Sequence, residues 1–222
     1  PGVAVTAGED GGQTITDALG RYRIGHSPGT FELQFRKTGY TSGCLRFDAM
    51  EAGKAEARTV SLWCLPRTSG VFLFDNYQYR PAFTTEPKSF KASDGRLLYG
   101  SLCWPGIERT VNPEPVLVTF RVPNYDVKLS RLKSIEAAPM DMPANPQKVL
   151  VQDESLRVDA APIDEPDERL WEIQLTQPLT PGLYAVHWGA LDGYPNTDRR
   201  IFLFEIVDPA KSEVPAEVPE AA

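Results

Sequence analysis

The chain has 222 residues, with 23 Lys and Arg against 30 Asp and Glu, so its net charge is −7 at pH 7. Its basic residues are scattered apart from short pairs such as Arg199-Arg200, which argues against nucleic acid and anionic lipid as partners, since both need a basic face. No run reaches the ~18–20 apolar residues of a membrane helix, so no membrane insertion of this segment is expected, while 20 Pro, 17 Gly and 10% aromatics suit a turn-rich all-β chain.

In chain order, Glu9-Asp10-Gly11-Gly12 reads as a hairpin turn rather than a metal site. It precedes a strand and not a helix, so it lacks the geometry that cradles phosphate. Thr14, Ile15 and Thr16 are β-branched and extended. Asp17-Ala18-Leu19-Gly20 is a turn, with Asp to bind its own backbone and Gly to take positive φ. Tyr22 and Ile24 then alternate with Arg21 and Arg23, which predicts a strand with one apolar face. Ser27-Pro28-Gly29 is the next turn. Phe31, Leu33 and Phe35 alternate with Glu32, Gln34 and Arg36, and Gly39-Tyr40 closes the stretch. Tyr22, Ile24, Phe31, Leu33 and Phe35 are expected to share one core.

Three spaced motifs here, Asp17…Gly20-Arg21-Tyr22, Pro28-Gly29-Thr30-Phe31 and Lys37-Thr38-Gly39-Tyr40, resemble the carboxypeptidase regulatory-like domain, a transthyretin-like β-sandwich. Phe31 stands where Tyr is usual, and Ser27 where the first Pro is usual. Pro1-Gly2-Val3-Ala4-Val5 resembles the family's second strand. The resemblance covers residues 1–66. It implies a secreted, periplasmic or cell-surface accessory domain with no catalytic residues of its own. It also implies a strand before Pro1, read here as a mature or trimmed start, and hence an open sheet edge in the first sandwich.

Cys44, Cys64 and Cys103 form no CxxC pair, and with two histidines in the chain a zinc site is not expected. A hairpin folded about Gly53-Lys54 sets Cys44 opposite Cys64, at the spacing of a cross-strand disulfide or of two packed thiols. The secretion implied by the resemblance favours the disulfide, with Cys103 left unpaired.

Beyond Leu65-Pro66, residues 67–70 read as a linker and residues 70–208 as a second β-sandwich, expected to be immunoglobulin-like. Its candidate strands are 71–74, 77–84, 96–104, 116–122, 127–136, 148–152, 169–176, 183–188 and 200–207, separated by Pro, Asn and Gly turns. Residues 128–138 fit a short helix or a strand. Thr180-Pro181-Gly182 repeats the turn chemistry of Ser27-Pro28-Gly29. Residues 209–222 are rich in Pro, Ala and Glu and are expected to form a disordered tail.

No nucleophile motif is present. His26 and His187 have no evident chemical partner, and a Cys103–His187 pair is weighed against a packed thiol beside an edge histidine. The carboxylates of 153–168 read as solvated loop charges. Tyr77 and Tyr79, two apart on a predicted strand, share a face. With Trp104 at a strand end they are the candidate ligand platform. The expected protein is thus an all-β pair of sandwiches without enzymatic activity or cofactor. It acts as a stalk, spacer or docking module whose partner is a protein at an open sheet edge. The alternative is a carbohydrate-binding module holding polysaccharide on Tyr77, Tyr79 and Trp104.

Overall fold

The computed structural model describes residues 1–8, 11–25, 28–50, 58–102, 106–140, 145–163, 170–194 and 198–210, the side chains of 49 and 50 excepted. Among them the chain is all-β, and its one helical element is a three-residue 3₁₀ turn, η1 (Ala190–Asp192). It divides into two compact units, Pro1–Thr68 with Pro162–Trp171, and Ser69–Ala161 with Glu172–Ala222. The tail expected over 209–222 lies outside the described residues from 211 onward.

The first unit contains β1 (Ala4–Ala7), β2 (Gln13–Ile15), β3 (Gly29–Arg36) and β4 (Gly43–Met50). They form one antiparallel sheet in the order β2-β1-β3-β4. Period-2 alternation puts one face of this sheet inward. Val5, Ala7, Leu33 and Phe35 are buried there, with Tyr22, Ile24, Phe31, Leu45, Phe47, Val60 and Leu62 packed against them. The five residues expected in one core therefore meet. Tyr22 lies edge-on to Phe35 at 5.5 Å and Phe31 stacks on Phe47 at 4.9 Å. The Asp17 turn forms as its chemistry requires: the carboxylate accepts from the amides of Leu19 (2.8 Å) and Arg21 (2.9 Å). Residues 21–25 differ from expectation. Their alternating burial persists, but they join no ladder.

The expected disulfide is corrected: Cys44 and Cys64 are both exposed free thiols. The register is the cause. Cys64 bridges Tyr40, four residues before Cys44, an offset of about 13 Å along an extended chain. Bridging needs Cα atoms within about 7 Å. Cys103 lies outside the described residues.

The second unit holds β5 (Gly70–Asp75), β6 (Gln78–Pro81), β7 (Phe83–Thr85), β8 (Lys88–Lys91), β9 (Leu97–Leu102), β10 (Glu108–Thr110), β11 (Val116–Phe120), β12 (Lys128–Pro139), β13 (Gln147–Leu156), β14 (Val158–Pro162), β15 (Leu170–Leu175), β16 (Gly182–His187) and β17 (Ile201–Ile206). A five-stranded sheet runs β14-β15-β11-β5-β6, and an eight-stranded one runs β10-β17-β16-β12-β13-β9-β8, with β7 also on β17. Between them lie Val71, Leu73, Leu117 and Ile173 from the first sheet. They meet Leu129, Tyr184, Val186, Phe202, Phe204 and Ile206 from the second. This unit is therefore a sandwich. The segment expected as one strand over 77–84 is cut in two at Ala82, where the chain passes from β6 in one sheet to β7 in the other.

The helix-or-strand ambiguity at 128–138 resolves as strand. β12 is paired along both edges, to β16 over 128–132 and to β13 over 129–137, and no helix offers those ladders. Its last residues, Ala138 and Pro139, pair with Lys91 and Phe90 of β8. Because β8 pairs β9 and β9 pairs β13, strands β12, β13, β9 and β8 close a four-stranded ring. Phe90, Ala137, Val149 and Val151 fill it. Ring closure and Phe90 are the reason β8, with two lysines in four residues, is a strand at all.

Two truncations check these cores. Phe35→Ala in the first unit and Phe90→Ala in the ring are each expected to cost about 3–5 kcal/mol of unfolding free energy in urea. A loss below about 1 kcal/mol at either position means that its ring does not face the assigned core.

Candidate functional site

Every backbone N–H and C=O needs a partner, so the unpaired groups of an all-β unit collect along its edges. In the second unit the edges are closed or blunted. One end of the eight-stranded sheet curls into the ring, and at the other β7 and β10 share the outer edge of β17. The five-stranded sheet ends in the short strands β6 and β14, which finish on Pro81 and Pro162.

The first unit is different. Two extended segments lie over the apolar face of its sheet. One is 22–25, where Ile24 approaches Gly12 beside β2 and Tyr22 packs on Phe35. The other is 58–62, where Val60 and Leu62 crowd Gly43 at the start of β4. Both insert alternate side chains into the core. Yet neither makes a backbone hydrogen bond to any other described residue. The flanking residues do: Asp17 N–H donates to Arg21 O at 2.8 Å, and Thr41 N–H to Trp63 O at 2.8 Å. The Tyr22 hydroxyl is buried without a partner, and burial pushes its pKa up. Arg23 and Ser61 point outward and are exposed. The result is a covering layer with strand-like side chains and no backbone partner among the described residues.

Tyr77 and Tyr79 do not share the expected strand face. Asp75 pairs with Gln78, leaving Asn76 (φ 48°) and Tyr77 (φ 60°) as a two-residue hairpin turn of the type that takes positive φ at both positions. Tyr77 is thus in the turn and 92% exposed. Tyr79 is on β6, half-buried, with its ring 5.7 Å from Phe72 and 4.8 Å from Phe74. The two rings share no face. Trp104 and His26 lie outside the described residues, as do Asp164 to Glu168. Asp153 is held by Lys133 at 2.8 Å.

His187, expected at an edge with no partner, is fully buried and has two. Its Nε2 lies 2.9 Å from Ser130 Oγ on β12, and the Gly189 amide donates to its Nδ1 at 3.2 Å. Since Nδ1 accepts, the neutral ring carries its proton on Nε2 and donates it to Ser130. A nucleophilic serine needs the opposite arrangement, with the imidazole accepting from the hydroxyl. This pair is therefore a brace between β12 and β16. Beside it Lys128 Nζ meets Asp192 Oδ2 at 2.6 Å. Burial lowers the His187 pKa from 6.5 to about 4, against the pull of Asp192. Ser130 was missed in the sequence because it lies 57 residues away and becomes a neighbour only once β12 and β16 are in register.

An unfolded chain takes up the His187 proton near pH 6.5, whereas the folded one resists until about pH 4. Stability should therefore be complete above about pH 6.5 and decline as pH falls towards about 4, by about 3 kcal/mol. Chemical denaturation across this window checks it, and His187→Gln is expected to flatten the decline. The paired carboxylates Asp17, Asp94, Asp153 and Asp198, all lowered in pKa, lose their contributions only below this window.

No protein-family model, no curated protein and no solved structure matches the chain. The resemblance of residues 1–66 to the carboxypeptidase regulatory-like domain thus rests on its three motifs.

Proposed function

We propose that the chain is a non-catalytic docking and spacer protein of a secreted or cell-envelope assembly. Its first unit engages a protein partner by taking up an extended segment beside the backbone of 22–25 or 58–62. One observation carries this reading: two strand-like segments bury alternate side chains in a core while their amides and carbonyls pair with no other described residue. Such an edge templates strand addition, in which main-chain bonds give affinity and alternate side chains give specificity. The resemblance to an accessory family supports the extracellular and non-enzymatic parts. Nothing in the positions of Tyr77 and Tyr79 favours the carbohydrate alternative.

Amide hydrogen exchange tests it. In the free chain the amides of Tyr22 to Ile24 and Val60 to Leu62 are expected to exchange far faster than those of β1 and β3. A synthetic peptide of about six residues alternating Val and Thr is expected to slow them. Arg23→Pro and Ser61→Pro, each removing an outward-phase donor, are expected to weaken that protection without loosening the core. If the amides of the free chain already exchange as slowly as those of β1, the layer is closed and the reading fails.

A further inference from the structure

We propose that η1 is an acid-released clasp: a proton on His187 removes the acceptor that holds the Gly189 amide, and Ala190 and Leu191 are freed from the apolar cluster they cover. The inference does not depend on the docking role of the first unit.

The geometry is that of a short flap fastened at both ends. β16 ends at His187, and the chain turns back through Gly189 (φ 85°), η1 and Gly193 (φ 80°). Both glycines hold a left-handed conformation that other residues adopt only under strain. A Cβ at Gly193 would collide with the Tyr99 ring of β9. Ala190 and Leu191 are buried against Ile107, Leu132, Ile201 and Leu203. One fastening is the Gly189 N–H to Nδ1 bond (3.2 Å), on a ring anchored through Nε2 to Ser130 (2.9 Å). The other is the Lys128–Asp192 ion pair (2.6 Å).

A proton from solvent adds to the Nδ1 lone pair. The ring then has donors on both nitrogens, so Nδ1–H and the Gly189 N–H confront each other and the bond is lost. The imidazolium also stands beside Lys128, its register partner on β12. Both cations then share one carboxylate, Asp192. From β17 the ring faces Ile201. The charges preceding that strand, Arg200 and Asp198, are closed on each other at 2.6 Å, and β9 contributes the Tyr99 phenol against Gly193. Among the described residues Asp192 is therefore the neighbour that favours the imidazolium, and Lys128 opposes it. Burial of the ring places the release in the acid range, towards pH 4.

Residue-resolved amide exchange as a function of pH, corrected for intrinsic rates, tests the clasp. The amides of Gly189 and Asp192 are expected to lose protection by on the order of a hundredfold between about pH 6.5 and 4. Those of Leu129, Val186 and Phe202 in the sandwich core follow the global stability and are expected to stay far better protected than the clasp amides at pH 4. His187→Gln, whose Oε1 accepts without titrating, is expected to make both clasp amides insensitive to pH. Should that variant not fold, the neighbours decide. Lys128→Met is expected to move the midpoint to higher pH and Asp192→Asn to lower pH. Clasp amides as well protected as the core at pH 4, a flat profile in the unmodified chain, or a midpoint unmoved by both substitutions overturns the proposal.

Discussion

Saturation of the backbone is the constraint on which the rest of this protein depends. A chain made of strands carries a donor and an acceptor at nearly every residue, and each sheet must end somewhere. The second unit solves this within itself. Its larger sheet closes on itself through Ala138 and Pro139 against β8, and its other end is covered by two short strands placed end to end on β17. β17 is buried on both faces, Phe202 and Phe204 against the sandwich core and Ile201 and Leu203 against Ala190 and Leu191, which is why Ile201-Phe-Leu-Phe204 is a continuous apolar run rather than an alternating one. In the first unit the covering segments satisfy the core with side chains, while their main chain finds no backbone partner among the described residues.

The two units also differ in how their cores are filled. In the second, whole aromatic rings are sealed: Trp188, Tyr184, Phe202 and Phe204 are all essentially inaccessible. Tyr184 is further fixed by its hydroxyl, which donates to Thr180 O at 2.7 Å. In the first, four residues are fully buried while Tyr22, Phe31, Phe47, Val60 and Leu62 remain partly accessible. A core of that kind is marginal alone, because partial burial returns only part of the transfer free energy. An added strand would cover the same side chains that its backbone bonds flank.

Much of this was legible in the residues. Period-2 alternation found β3 and placed Tyr22, Ile24, Phe31, Leu33 and Phe35 in one core. The Pro-Gly turns marked the entries to β3 and β16. What was not legible depended on pairing. Asn76-Tyr77 makes a tight hairpin turn without a glycine, so the two-residue spacing of Tyr77 and Tyr79 marks no shared strand face. β8, β10 and β14 are short, and Lys88 and Glu108 do not announce a strand. β10 exists because the edge of β17 is there to pair in parallel, and β8 because the ring needs a fourth member. The Cys44–Cys64 pairing failed on register, since an apparent hairpin centre says nothing about where the returning chain first hydrogen-bonds. The His187–Ser130 brace was hidden for the same reason.

β12 belongs to two cores at once. Its first half lines the sandwich through Leu129, and its second half lines the ring through Ala137. A strand shared in this way ties the two together mechanically. Slipping it by one residue would turn its side chains to the opposite face in both places, and the one register shift in its ladder with β13, at Arg131/Leu132, falls between the two halves of its 12 residues. The ring is for that reason no detachable ornament of the sandwich. Removing β12 from either core removes it from the other.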